Sequence, residues 1–351
     1  MFEDLLQAWD GEEVAVRFDR PSHAWMFVCV HSTVLGPAAG GTRMKVYASP
    51  DEALHDGLRL SAAMTSKDAM AGLPLGGGKG VLAVPQIPIG EARRDLLLRY
   101  GDLVESLHGT YRTACDMNTR AEDMDVVAER SSYVFGRTEA AGGSGTSAPA
   151  TAVGVFHGLR AAVAHAFGSD DLAGRTVAIQ GVGAVGDPLS RMVAAEGARL
   201  VLADIDEVRA KELAGELGAE HVPADAILAA ECDVLAPCAT GGVLTAEAIP
   251  TLRCRVIAGA ANNQLGEPAD ADRLAERGIV YAPDFVVNAG GIVHLASFEL
   301  LGEDRERLDR RLRAIGDTTR EVLGLAAERG ISTGAAADTI VEQRLAAGRG
   351  R

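Results

Sequence analysis

The sequence predicts an α/β protein of two domains, the second a doubly wound parallel sheet. Three observations carry this. The chain has 351 residues, 47% of them hydrophobic, enough to bury two cores. In its second half apolar, strand-like runs alternate with alanine-rich helical ones. Within that alternation Gly181-Val182-Gly183-Ala184-Val185-Gly186 stands at a turn between an apolar strand and a helix, and Asp204 ends the next apolar run. The expected boundaries are residues 1–140 for an N-terminal α/β domain, 141–325 for a Rossmann-type domain, and 326–351 for a helical tail that packs back on the first domain.

Taken in order, residues 14–18 and 24–34 alternate or run apolar around Pro21-Ser22, as two strands joined by a turn. Gly36-Pro37-Ala38-Ala39-Gly40-Gly41-Thr42-Arg43 reads as a glycine-rich turn. Residues 50–64 carry Ala53, Leu54, Leu58, Leu60 and Ala63 at helical spacing, with Ser49 or Asp51 placed to cap the start. This helix leads into Lys67-Asp68-Ala69-Met70-Ala71-Gly72-Leu73-Pro74-Leu75-Gly76-Gly77-Gly78-Lys79, read as a packed loop with two lysines in nearly uncharged surroundings. Taken alone, it is either a glycine-rich turn with two snorkelling surface lysines or a site. In a site, one ammonium binds a carboxylate, and the other, its pKa lowered by apolar neighbours and a second cation, exchanges protons.

Residues 80–84 form a strand ended by Pro85, and residues 90–107 an amphipathic helix. Residues 111–115 form a short strand that stops at Asp116, a turn former or helix cap by itself and an acid partner in the company of the lysines. The small polar run 141–147 reads as a hinge. A helix over 151–167 comes next, its amino terminus able to aim N–H groups at a polar ligand.

The 181–186 run has the context of a dinucleotide-binding turn. Gly181 makes the tight turn, Gly183 admits the pyrophosphate, and Gly186 lets helix and strand pack, with Val182, Ala184 and Val185 between them. Asp204 would accept from the adenosine 2′-hydroxyl and repel a 2′-phosphate, so NAD is expected over NADP. Later strands over 233–238, 256–260 and 279–283 end in small or amide residues, and Cys238, Ala239, Ala260, Asn262 and Asn288 should line the cofactor crevice. The tail over 304–347 is charged with helical period.

Net charge is −15, with 49 acidic against 34 basic residues, which disfavours nucleic-acid phosphate as partner. The acidic amino terminus and the lack of any long apolar run point to a cytoplasmic protein off the membrane. Five scattered cysteines with no CxxC pair indicate reduced, mostly buried thiols and no metal site.

An ordered set of motifs extends this reading. The runs 36–43, Met64-Thr65-Ser66-Lys67, Gly76-Gly77-Gly78-Lys79, Ala114-Cys115-Asp116, 181–186, Ala236-Pro237-Cys238-Ala239, Ala260-Ala261-Asn262-Asn263 and 281–291 resemble, in order, those of the glutamate, leucine, phenylalanine and valine dehydrogenases. The phenylalanine, leucine and valine members are the nearest. The resemblance spans about residues 30–300. It implies that Lys67 holds the substrate carboxylate with Gly40 backbone and Asn262, that Lys79 is the catalytic base, and that Asp116 is its acid partner. It further implies that Ser147 and Thr151 contact the nicotinamide amide and that the subunits form a homo-oligomer. The side-chain pocket carried over by motif is Ala39, Met64, Ala114, Ile292 and Leu295.

Ala39 stands where leucine-type members have leucine and phenylalanine-type members glycine. Leu295 resembles the phenylalanine type, whereas Ala114 and Ile292 resemble the leucine and valine types. The expected activity is therefore reversible NAD-dependent oxidative deamination of an apolar L-amino acid to the 2-oxo acid and ammonia. The alternatives are a dehydrogenase for an unusual amino acid, or a catalytically silent NAD-binding protein on this fold.

Overall fold

Alternation along the early strands decides how the first sheet is buried. The structure, a computed structural model, describes residues 2–350. After helix α1 (Phe2–Trp9) come strands β1 (Glu13–Asp19), β2 (Ala24–Ser32) and β3 (Ala38–Lys45), helix α2 (Pro50–Met70), and strand β4 (Gly76–Ala83). Helix α3 (Gly90–Glu105), strand β5 (Tyr111–Cys115) and helix α4 (Ala121–Ala128) complete this part. The sheet order is β1-β2-β4-β3-β5, with β3 parallel to both β4 and β5. In β2, Met26, Val28 and Val30 join a core with Leu96, Leu97 and Tyr100 of α3, while Phe27 and Cys29 join another with Leu54 and Leu58 of α2. Successive side chains thus enter helix layers on opposite faces, which is why the run is continuously apolar.

Three expectations are corrected here. The glycine-rich run after residue 36 is mostly strand β3, and the triple glycine with Lys79 is the buried body of β4 and not a loop. Helix α2, capped by the Ser49 hydroxyl, runs on to Met70, so Lys67 lies in its last turn. The cause is packing. A Cβ on Gly77 would stand 2.2 Å from the backbone nitrogen of Thr65 and 2.5 Å from the carbonyl of Ser61. The helix rests directly on the strand backbone, which only glycine permits. None of the three glycines has positive φ.

The second parallel sheet is built from helix α5 (Ala148–Phe167), strand β6 (Thr176–Gln180), helix α6 (Gly186–Ala195), strand β7 (Arg199–Ala203), helix α7 (Glu207–Leu217) and strands β8 (Glu220–His221), β9 (Val234–Pro237) and β10 (Val256–Ile257). Helix α8 (Asp270–Glu276), strand β11 (Val280–Tyr281) and helices α9 (Asp284–Val287) and α10 (Gly290–Leu295) come after them. Its order, β11-β10-β9-β6-β7-β8, reverses direction between β6 and β9, the switch point at which such sheets bind ligands. Helix α11 (Arg305–Arg329) packs on α5 and ends at Gly330, whose φ of 65° closes the cap, and helix α12 (Thr333–Arg349) is the last element.

The chain divides into two units. One takes in the residues up to Thr146 together with Leu295–Gly302 and the stretch from Gln343 onward. The other comprises Ser147–His294 and Glu303–Glu342. Among the described residues no helix is long and apolar enough to cross a membrane, and no group of three or more His, Cys, Asp or Glu side chains is placed to hold a metal. All five cysteines are free; Cys29 and Cys254 are buried, and Cys115 is exposed.

Candidate active site

In the first unit the charged side chains meet across three parallel strands. Lys79 projects from β4 and is only 5% exposed. Its ammonium lies 3.2 Å from Oδ2 of Asp116, the residue after β5. From the intervening strand β3, Arg43 donates through Nε to the same Oδ2 at 2.9 Å. A second guanidinium nitrogen of Arg43 reaches Asp56 of α2 at 2.9 Å, and Asp56 also accepts from the Tyr47 hydroxyl and from Arg59. The Asp116 carbonyl begins a turn, accepting from the Thr119 N–H at 2.9 Å, but its carboxylate takes no part in it. The turn is held instead by Thr119, whose hydroxyl accepts from the Asp116 N–H and donates to the Thr42 carbonyl, and by Asn118, which donates to the Met44 carbonyl.

The electrostatics come from burial and company. Burial pushes the Lys79 ammonium below its ordinary pKa; Asp116 opposes this, while Arg43 and Lys67 reinforce it. Burial acts to raise the Asp116 carboxyl, but Lys79 and Arg43 hold it below the usual carboxylate range. The pair is thus an ionised acid against an amine biased toward losing its proton. Such an arrangement moves protons.

The other predicted residues of this unit gather close by. The Gly40 carbonyl accepts from the buried Tyr111 hydroxyl at 2.7 Å, and a Cβ on Gly40 would lie 3.4 Å from Cγ of Met64. Ala39 and Ala114 are buried on β3 and β5. Ala114 and Leu295, far apart in sequence, converge on Gly136: a Cβ there would stand 3.5 Å from Ala114 and 3.7 Å from Leu295.

Sequence reasoning missed Arg43, Asp56 and Gly136. It also missed a signal that was present. Only four of the 34 basic residues are lysines, Lys45, Lys67, Lys79 and Lys211, and two of them stand here, where an arginine could not give up its proton.

In the second unit, Gly181 has φ of 89° and its N–H donates to the Ala203 carbonyl at 2.7 Å. A Cβ on Gly186 would stand 1.9 Å from the Gly181 carbonyl, so turn and helix start are in backbone contact. Around Gly183 no atom lies within 4 Å of such a Cβ, and Ala184 is exposed beside it. Val182 is buried and spends its N–H on Oδ2 of Asp204, at 2.8 Å. Val185 is the residue before α6.

Cys238 donates from its backbone to the Gln180 carbonyl, and Ala239 closes on Gly181. Asn288 donates to the Ala260 carbonyl and to Oδ1 of Asn262. Its own Oδ1 is buried with no hydrogen-bond partner, as is Oε1 of Gln180. Thr151 donates from N–H and hydroxyl to the Ser147 carbonyl at the start of α5, and both side chains face Gly291. Ile292 lies in α10, half-buried. A tight turn with open space at Gly183, a carboxylate just after β7 and unpartnered buried acceptors at the end of β6 and just after α9 fit a dinucleotide.

Comparison with known proteins identifies the family. The family described as Glu/Leu/Phe/Val dehydrogenase, dimerisation domain, matches residues 15–133, and that described as Glutamate/Leucine/Phenylalanine/Valine dehydrogenase matches residues 142–207 and 202–348. The chain is 44% identical to a leucine dehydrogenase of Thermoactinomyces intermedius over 97% of its own length and 93% of that protein. To a valine dehydrogenase of Streptomyces coelicolor it is 45% identical, with the same coverage of each. The crystal structure of an L-tryptophan dehydrogenase from Nostoc punctiforme superposes with a TM-score of 0.88 at 36% identity, covering all of both chains. The chain belongs to the glutamate, leucine, phenylalanine and valine dehydrogenase family and is an amino-acid oxidoreductase.

Proposed function

We propose that the protein catalyses the reversible, NAD-dependent oxidative deamination of an apolar L-amino acid to its 2-oxo acid and ammonia. The observation that carries this is the Lys79–Asp116 pair, 3.2 Å apart, with Lys79 buried, Asp116 half-buried and Arg43 bracing the carboxylate.

When bound, the nicotinamide supplies the acceptor for the hydride that leaves the substrate Cα. The chain's own groups do the rest. Lys67, in the last turn of α2, anchors the carboxylate with the backbone at Gly40. Loss of hydride from the deprotonated amine leaves an iminium ion. Neutral Lys79 takes a proton from the water that attacks the iminium carbon, forming a neutral carbinolamine. The carbinolamine nitrogen takes up a proton relayed through the Lys79–Asp116 pair, its C–N bond breaks as ammonia departs, and the hydroxyl proton is lost to give the 2-oxo acid. Burial of Lys79 serves both directions, since an amine poised below its ordinary pKa is a base in one and an acid in the other.

The apolar substrate class is supported by the small buried side chains Ala39 and Ala114 beside Met64 and Leu295, and by relatives named for leucine, valine and tryptophan. Preference for NAD is supported by Asp204, whose carboxylate is oriented by the Val182 and Asp206 N–H groups. In the second unit the reading gives the pyrophosphate to residues 181–186, Val182 acting through Asp204. It gives the nicotinamide amide to Ser147, Thr151 and Asn288, with Cys238, Ala239, Ala260 and Asn262 lining that crevice and Ile292 supplying pocket wall. We further propose a cytoplasmic homo-oligomer, a reading supported by the dimerisation domain in the family description.

The test is initial-rate reduction of NAD with each common L-amino acid at alkaline pH. Turnover confined to apolar side chains is expected, and a blank panel with measurable NADH binding would return the silent NAD-binding alternative.

A further inference from the structure

Resting on the proposed substrate pocket, we infer that Glu299 is a positioning residue that clamps the pocket wall at Gly136. Gly136 lies between Ala114 and Leu295, and its φ of 70° belongs to the left-handed region, so it keeps no side chain of its own and the wall there is backbone. One carboxylate holds that backbone. Oε2 of Glu299 accepts from the Gly136 N–H at 2.9 Å, while Oε1 accepts from the Ser144 N–H at 3.0 Å and from the Ser144 hydroxyl.

The two ends of the 136–144 segment are thereby tied to a single side chain. The middle is held independently: Asp125 of α4 accepts from both the N–H and the hydroxyl of Thr138. The segment also borders an open cavity of about 530 Å³, which Val134, Phe298 and Glu299 line with it.

The carboxylate reaches the segment because of a local irregularity. Directly after Leu295, residues Ala296–Leu300 form a single π-helical turn, closed by the Leu301 N–H on the Ala296 carbonyl at 2.9 Å. An extra residue in a helical turn rotates the side chains beyond it about the helix axis, and such bulges collect at functional positions. Here the bulge places pocket residue and clamp on one short stretch: Leu295 forms part of the wall, and Glu299, four residues on, fixes the adjoining backbone at Gly136. Hydrogen bonds to an ionised carboxylate are the strong ones, and three converge on this one.

The test compares Glu299→Ala and Glu299→Gln with the parent, by kinetics across a side-chain series and by hydrogen exchange. With Glu299→Ala we expect KM for leucine and phenylalanine to rise about tenfold and kcat to change little, with a smaller rise for 2-aminobutyrate, whose side chain does not fill the pocket. Glu299→Gln, which keeps one acceptor, should fall between. Amides in peptides covering 136–146 should exchange faster in Glu299→Ala, with β4 unchanged. Equal losses for every amino acid, or unchanged exchange in 136–146, would overturn the clamp. If the parent turns over no apolar amino acid, the substrate reading fails, while the exchange result still decides the clamp. Should Glu299→Ala not fold, Ser144→Ala, which removes one of the three bonds, must show the same pattern in weaker form; no size-dependent change would refute it.

Discussion

Gly76-Gly77-Gly78 in the first unit and the glycines at 181, 183 and 186 in the second are alike in composition and opposite in structure. The first three lie in the extended body of β4, fully buried, and their missing side chains are filled by the protein itself: the Ser32 carbonyl, the α2 backbone and the Tyr111 ring. The second set makes an open turn with positive φ at Gly181 and empty space at Gly183. Gly77 makes room for a helix, whereas at Gly183 the space stays open. The comparison also separates two kinds of site. On the proposed function, the first unit works through charged side chains whose proton affinities are set by one another, and the second through backbone, amides and a single carboxylate.

The sharpest way to break this contrast is to remove the chemistry from one half only. Lys79→Ala should lower kcat by ~10³-fold while NADH binding, followed by fluorescence titration, stays at the parent value. In the parent, deamination should rise with pH as Lys79 sheds its proton, with an apparent pKa below the ordinary 10.5, and that limb should vanish in the variant. Because the folded pKa lies below the unfolded one, the folded protein binds fewer protons between the two. This part of the stability therefore increases with pH across that window.

Next in size is the effect of an added methyl on each glycine set. Gly77→Ala, driven into the α2 backbone, should cost about 3 kcal/mol or more in denaturant unfolding. Gly183→Ala should leave the melting temperature in place and weaken NADH binding about tenfold. The reverse pattern would mean the two sets have been assigned the wrong way round.

A further change refines the second unit alone. Asp204→Asn should shift the NAD over NADP preference, measured as the ratio of kcat/KM values, by about 10- to 100-fold toward NADP. An unchanged ratio would remove Asp204 from cofactor choice.

Much of this was legible in the chain. The second unit could be read almost whole, since a strand, a glycine turn, a helix and an acid succeed one another within a few dozen residues, and local spacing carries the information. Lys67, Lys79 and Asp116 were also visible, as unusual residue types in apolar surroundings. The first unit misled at its glycines, which read as turns because glycine's usual freedom is for positive φ. At β4 that freedom is unused, and glycine is required by a helix contributed from a separate stretch of chain.

By itself, then, the sequence determined the α/β class, the apolar run that becomes β2, the glycine turn between strand and helix and the candidate reacting groups. These depend on periodicity and residue chemistry, which are local. Only the tertiary structure decided that Arg43 bridges Asp116 to Asp56, that Lys79 projects from a strand, and that Ala114, Gly136, Leu295 and Glu299 gather at one wall. Those relations join residues tens to more than a hundred positions apart. They arise from backbone contact and shared hydrogen bonds between elements, to which no spacing along the chain corresponds.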